Sequence, residues 1–283
     1  MRIKRFITLA LAGVLSVAAL AGCGSKEESG KVTTVKVGVV GSLYEDLWKP
    51  AQDKLKSEGI TVELVQFSDY VTPNNALNAG EIDLNSFQHR IYLESEIKNY
   101  NYKIQNVGNT FIIPLNLYSN KVKSVSELKD GDTVAIPNDV TNGGRAIKVL
   151  RDAGLITLKD DANFSPTVAD IESYKVNIKI EELAANTIPS ALADVTAGIV
   201  NGNYALDFGL KTENAIFKDT SLSESQYWNL IAARTEDLQN PEKKAVYEKV
   251  VKAFQSQETE DVFNNKFGGY FIKEGWDEDL FNK

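Results

Sequence analysis

The stretch VKVGVVGSLYEDLWKPAQDKLKSEGITVEL, residues 35–64, decides the fold class. Val35, Val37 and Val39 alternate with Lys36 and Gly38, the period of a strand. Gly41-Ser42 turns the chain, Tyr44, Leu47, Trp48, Ala51 and Leu55 then fall at helical spacing, and Gly59 supplies a stop. Pro50 interrupts that helix and predicts either a kink or a later first turn. Ile60, Val62 and Leu64 alternate again. Strand, helix and strand within about thirty residues make a βαβ unit, so the sheet is parallel here.

Working outward, the theme recurs. Phe111 to Tyr118 reads as one strand despite Pro114, and Ser124-Val125-Ser126-Glu127 matches a capping box. Thr133 to Ile136 is a short strand running into Pro137-Asn138-Asp139. A helix with Ala146, Ile147 and Leu150 on one face follows, with Gly154 past its end. Val176 to Ile180 alternates, Ile188 to Val195 is helical, and Asn201-Gly202-Asn203 marks a turn. Leu230 to Ala233 is a strand, and Tyr247, Val250, Val251 and Phe254 stripe a late helix. Alternating strands and helices define an α/β class. The length suits two lobes sharing a cleft, with hinges near Ser119 to Lys123 and Ser221 to Ser225. The division is 32–118 plus 231–283 for lobe 1 and 119–230 for lobe 2.

The first 22 residues stand apart. Arg2, Lys4 and Arg5 precede an apolar run from Phe6 to Leu20, shorter than the roughly 20 residues a span needs. The layout is a secretory signal, 1–22, removed on export. Leu20-Ala21-Gly22-Cys23 resembles a bacterial lipobox, which implies acylation at Cys23. The other reading is an ordinary signal peptide that contains a cysteine. Ser25 to Lys31 reads as a flexible tether, so 23–31 is the lipidated cysteine with its tether. Removing three basic residues with the signal leaves 28 basic against 39 acidic, a net of −11. That balance excludes a broad nucleic-acid surface. The predicted location is the extracytoplasmic face of the cell membrane, held through lipid alone.

Catalytic signatures are scarce. The single histidine, His89, rules out a zinc site with two histidines. There is no Gly-x-Ser-x-Gly elbow, phosphate loop or Gly-x-Gly-x-x-Gly. Glu81 and Asp83 share a strand face and read as solvated charges, and Asn163-Phe164-Ser165 is a chance glycosylation sequon. No metal, cofactor or enzymatic activity is expected. Two polar clusters remain. At Pro137 to Arg145, Asn142 is a good N-cap and Arg145 falls in the first helical turn, where the dipole disfavours a cation. Arg145 therefore either grips a ligand anion together with free backbone N–H groups, or pairs with an Asp or Glu of the chain. Phe67 to Tyr70 and Asn85 to Tyr92 are rich in aromatics with polar tips. They suit either a small-ligand pocket or ordinary core, and His89 suits either a contact or a structural hydrogen bond.

Taken in order, these residues resemble a known family. Phe67-Ser68-Asp69-Tyr70-Val71 with Pro73-Asn74, Phe87-Gln88-His89 with Tyr92-Leu93, and Pro137-Asn138-Asp139 with Thr141-Asn142 carry the likeness. So do Gly144-Arg145, Ala153-Gly154-Leu155-Ile156, Asn201-Gly202-Asn203-Tyr204-Ala205 and Asn229-Leu230-Ile231. The chain is similar to the methionine-binding lipoproteins of methionine ABC importers, within the lipoprotein-28-like (NlpA) solute-binding proteins. The resemblance implies a two-lobed periplasmic-binding fold, each lobe a mixed sheet flanked by helices. It implies that Arg145 binds the ligand carboxylate, and that Asn142, Asn201 and Asn229 bind its polar backbone groups. It implies that Phe67, Tyr70, Phe87, His89 and Tyr92 line the side-chain pocket. It further implies L-methionine as ligand, with an ABC permease and its ATPase as partners. Asn203 sits in the motif, where the family pattern varies. Departures are His89-Arg90-Ile91-Tyr92 for His-Lys-Pro-Tyr, Val140 for a proline, and bulky Phe208 and Trp228. They leave open another amino acid or a short peptide. Other readings are an extracytoplasmic hydrolase with a carboxylate pair and an adhesin that kept the fold.

Overall fold

A computed structural model describes residues 33–282. The expected signal peptide, Cys23 and the expected tether lie outside the described residues. The chain runs β1 (Thr33–Val40), α1 (Tyr44–Lys56), β2 (Ile60–Phe67), α2 (Thr72–Ala79), β3 (Leu84–His89), α3 (Arg90–Tyr100) and β4 (Ile104–Asn109). Next come β5 (Phe111–Ile112), β6 (Leu115–Tyr118), β7 (Thr133–Pro137), α4 (Val140–Asp152), β8 (Ile156–Leu158), β9 (Ile171–Tyr174) and β10 (Lys179–Leu183). It ends with α5 (Ile188–Ala191), β11 (Ala197–Asn201), α6 (Gly202–Asp207), β12 (Ala215–Phe217), β13 (Asn229–Arg234), α7 (Pro241–Phe254), α8 (Gln257–Asp261) and β14 (Ile272–Lys273).

Two mixed five-stranded sheets result, in the orders β2-β1-β3-β13-β4 and β10-β7-β11-β6-β12. The opening βαβ unit is present: β1 pairs in parallel with β2 from Thr33–Ile60 to Val40–Phe67. α1 runs through Pro50 and buries Tyr44, Leu47, Trp48, Ala51 and Leu55, the five positions its spacing selects. Trp48 packs on Phe254 of α7 with ring centroids 4.7 Å apart. Burying each such large side chain contributes roughly 1.5–3 kcal/mol. The second sheet has its own core around Leu117, Val134, Ile147, Leu150 and Ile199. A third cluster joins residues from both sheets, among them Val40, Phe87 and Tyr92 with Tyr118, Val200 and Tyr204.

Several expectations need correction. Phe111 to Tyr118 is not one strand. Pro114 lacks the N–H a ladder needs, and the chain leaves the first lobe there, so β5 pairs with β14 and β6 pairs with β11 in the second sheet. The first crossing thus falls at 113–114, before the expected 118–119 and before the hinge placed at 119–123. The second spans 218–228 and delivers β13, from Asn229, to the first sheet. A Cβ on Gly202 would sit 2.8 Å from the Pro114 carbonyl, so the first crossing packs where only glycine leaves room. Ser124 makes no capping bond to the following turn. A capping box instead forms at Thr167–Asp170. The N-cap of α4 is Asp139, whose Oδ1 accepts from the N–H of Thr141 at 3.2 Å and of Asn142 at 2.8 Å. Asn142 is therefore the third helical residue and Arg145 lies in the second turn, beyond the strongest part of the dipole.

Candidate functional site

Three strand-to-helix junctions meet at the cleft: β3 into α3 at His89, β7 into α4 at Asp139, and β11 into α6 at Asn201. Ligands of α/β sheets bind outside the carboxyl ends of strands, where the connections diverge. β13 adds Asn229, which pairs with His89. The junctions surround a narrow cavity of about 30 Å³ lined by Tyr70, Phe87, Gln88, His89, Tyr92, Ile113, Pro114, Leu115, Asn142, Arg145, Asn201, Gly202, Asn203 and Asn229. No Asp or Glu is among these lining residues.

One end is built around Arg145. The side chain is buried, and a guanidinium cannot shed its proton, so it needs an anion. Asp219, equally buried, supplies it: Arg145 Nη2 donates to Asp219 Oδ2 and, at 3.0 Å, to the Ile113 carbonyl. Arg145 Nε donates to Ser221 Oγ at 3.0 Å, and Ser221 Oγ donates to Asp219 Oδ1 at 2.7 Å. The Leu115 N–H fills Asp219 Oδ2 at 2.9 Å. The guanidinium lies over Tyr227, 4.4 Å from the ring centroid. Arg145 Nη1 alone makes no hydrogen bond among the described residues, and the side chain lines the cavity. Of the two readings of Arg145, the structure holds a protein partner together with an unused donor.

The asparagines form a chain with a fixed polarity. Asn142 Nδ2 donates to both oxygens of Asp139, at 3.1 and 3.0 Å. The amide must therefore turn Oδ1 the other way, where it receives Asn201 Nδ2 at 2.8 Å and His89 Nε2 at 3.2 Å. His89 caps α3: its Nδ1 accepts the Tyr92 N–H at 3.2 Å, so the proton sits on Nε2 and points at Asn142. Burial, then the nearby Arg145 charge, lower the His89 pKa to about 3, and the ring is neutral. Once Asn201 Nδ2 is committed, Asn201 Oδ1 is left buried with no partner. An orphaned acceptor in a cavity is costly unless a donor joins it. Asn229 is buried and also lines the cavity.

The other end is aromatic. Tyr70, Phe87, Tyr92 and His89 form edge-on and tilted contacts at 5.9–6.2 Å. Burial raises the Tyr70 hydroxyl well above its usual range, so it donates, and its acceptor is Asn203 Oδ1.

The family model of the NlpA lipoproteins matches residues 35–275. The chain belongs to the NlpA lipoprotein family. It is 42% identical over 277 residues, 96% of this chain and 99% of the relative, to the D-methionine-binding lipoprotein MetQ of Escherichia coli (strain K12). A nutrient binding protein from Burkholderia cenocepacia, solved bound to methionine, superposes with a TM-score of 0.78 at 39% identity, over 85% of this chain and 100% of that one. The substrate binding protein of a methionine transporter from Streptococcus pneumoniae gives 0.81 at 32% identity, over 86% and 96%. The two-lobed α/β fold read from the sequence is the one shared with these structures.

Of the expected site residues, Tyr70, Phe87, His89, Tyr92, Asn142, Arg145, Asn201 and Asn229 come together at the cavity. Phe67 does not. It ends the outer strand β2, one strand removed from β3, and a Cβ on Gly38 would lie 3.0 Å from its ring. Sequence reasoning missed Asp219 and Ser221, which lie more than 70 positions from Arg145 with no local pattern to mark them. It also held Asn203 apart, although that residue lines the cavity. The departures at Arg90 and Trp228 explain each other: the guanidinium lies 4.6 Å from the Trp228 ring centroid and pairs with Glu278 at 2.8 Å.

Proposed function

We propose that this protein is a lipid-anchored, extracytoplasmic substrate-binding protein of an ABC importer, which captures methionine between its lobes and hands it to the permease and ATPase. The observation that carries the reading is the charge balance of the cavity. Arg145 and Asp219 cancel, so the site takes up a ligand of zero net charge most readily. The Nη1 donor suits a carboxylate, and the orphaned Asn201 Oδ1 suits an ammonium. A zwitterion meets both. Its side chain then projects toward Tyr70, Phe87 and Tyr92, where a thioether packs well on aromatic rings. Asn142 acts here by aiming Asn201, since its own amide is already engaged. Closure follows from a ligand that touches both lobes and so prefers the shut form.

The relatives named for D-methionine bear on the enantiomer, so the proposal is methionine of either hand, where the resemblance alone implied the L form. A carboxylate-pair hydrolase is disfavoured, because no acid lines the cavity. Membrane attachment rests on Cys23, and replacing it with serine is expected to release the protein from the cell surface. The deciding experiment is thermal unfolding of the delipidated protein with each enantiomer. Ligand at 100 times Kd adds about 2.7 kcal/mol, or roughly 5–11 °C for a chain of this size. No shift with either enantiomer would sink the reading.

A further inference from the structure

We propose that Tyr70, positioned by Asn203, is the wall that limits ligand length, dividing the ligand cavity from a second compartment beside it. The inference rests on the proposed anchoring of an amino acid at Arg145 and Asn201. Beside that cavity lies a second space of about 70 Å³, lined in part by Asp69, Asp139, Asn186 and Tyr204. The two spaces have two residues in common, Tyr70 and Tyr92. The Tyr70 ring contacts Phe87 of the cavity, centroid to centroid 5.9 Å, and Tyr204 of the outer space at 4.9 Å. It is thus the partition.

What holds the partition comes from both lobes. Tyr92 Oη donates to the Tyr70 carbonyl at 3.0 Å within the first lobe. The Tyr70 hydroxyl donates across the cleft to Asn203 Oδ1, and Asn203 is itself fixed by Nδ2 donating to the Val40 carbonyl at 3.3 Å. Asn203 belongs to α6 and Tyr70 to the loop after β2, so the wall is completed only when the lobes meet. A side chain ending short of Tyr70 allows that contact. A longer one must push the ring aside and break the bond to Asn203, or hold the lobes apart. Past the wall, Asp69, Asp139 and Asn186 stand among Val71, Ala184, Ala185 and Tyr204, and Asn186 Nδ2 donates to the Ser68 carbonyl at 3.1 Å.

The test is calorimetry with methionine and its S-ethyl and S-propyl homologues on wild type, Tyr70→Ala, Tyr70→Phe and Asn203→Ala. Wild type is expected to lose about tenfold or more per added methylene, the usual scale for a shaped apolar pocket. Tyr70→Ala should bring the three ligands within a few-fold of one another. Tyr70→Phe and Asn203→Ala keep the ring but free it, and both should shrink the length penalty to a similar intermediate value. A merely weakened fold would lower all affinities alike and leave the ratios unchanged. Methionine binding with the wild-type length penalty in Tyr70→Ala overturns the wall alone. Failure of wild type to bind any of the three overturns the functional reading and the wall with it.

Discussion

Removing Arg145 should damage folding and binding together, and the two losses can be separated. Asp219 is fully buried and paired with Arg145, with the Leu115 N–H and Ser221 completing its shell. Arg145→Met keeps the apolar stem but strands that carboxylate. Breaking a buried pair from one side costs about 3–5 kcal/mol, which lowers Tm by roughly 6–20 °C for a chain of this length. Binding falls as well, because the ligand carboxylate loses its charged partner in a closed site. That loss is about 2–5 kcal/mol, or about 30-fold to several thousand-fold in Kd. The double variant Arg145→Met/Asp219→Asn removes both charges and leaves an acceptor for the Leu115 N–H. It should regain at least half of the lost Tm while methionine affinity stays down. Scanning calorimetry reads the first quantity and titration calorimetry the second. An Arg145→Met variant that melts with wild type would show that the pair contributes nothing to stability. A double variant binding methionine within about threefold of wild type would move the carboxylate site away from Arg145.

Two further outcomes follow from the same geometry. His89 has a folded pKa of about 3, below the roughly 6.5 of an unfolded histidine. Between those values the unfolded chain binds a proton that the folded chain refuses, so stability is full above about pH 6.5 and declines toward pH 3. Replacing His89 with glutamine should flatten that part of a pH-dependent unfolding curve, and an unchanged curve would remove the histidine from the account. Arg90→Ala and Trp228→Leu should be non-additive in a double-mutant cycle, with a coupling of about 0.5–2 kcal/mol for a half-buried cation on an indole. A coupling indistinguishable from zero would make the two departures independent.

The opening βαβ unit was legible because period two and period 3.6 are both written cleanly in residues 35–64. The path of the chain between lobes was not. Phe111 to Tyr118 is apolar but for Asn116, and nothing in such a run says that its halves join different sheets; only Pro114 hinted at a break. Asn142 and Asp139 are both acceptable caps three residues apart, and the choice was made by which backbone turns first. Arg145 was singled out as a first-turn cation, a placement that the Asp139 cap removes, and its partner Asp219 lies 74 residues on, a distance over which local pattern carries no information. Phe67 and Tyr70 looked alike as aromatic neighbours, but Phe67 closes β2 while Tyr70 stands beyond it in the loop and lines the cavity.

The strand order of the first sheet also sets an order of assembly. β4 has no neighbour in that sheet except β13, and the open side of β3 is covered by the same strand. The second sheet, by contrast, is complete once β12 ends at Phe217. A chain emerging from its N-terminus therefore presents the strands of its first lobe early and must leave them unfinished while the whole second lobe is made. The lobe synthesised second can close first, and the lobe begun first waits for residue 229 and for the helix that covers Trp48. Until then the edges of β3 and β4 stay unsatisfied, the state in which a nascent chain most needs a holding chaperone.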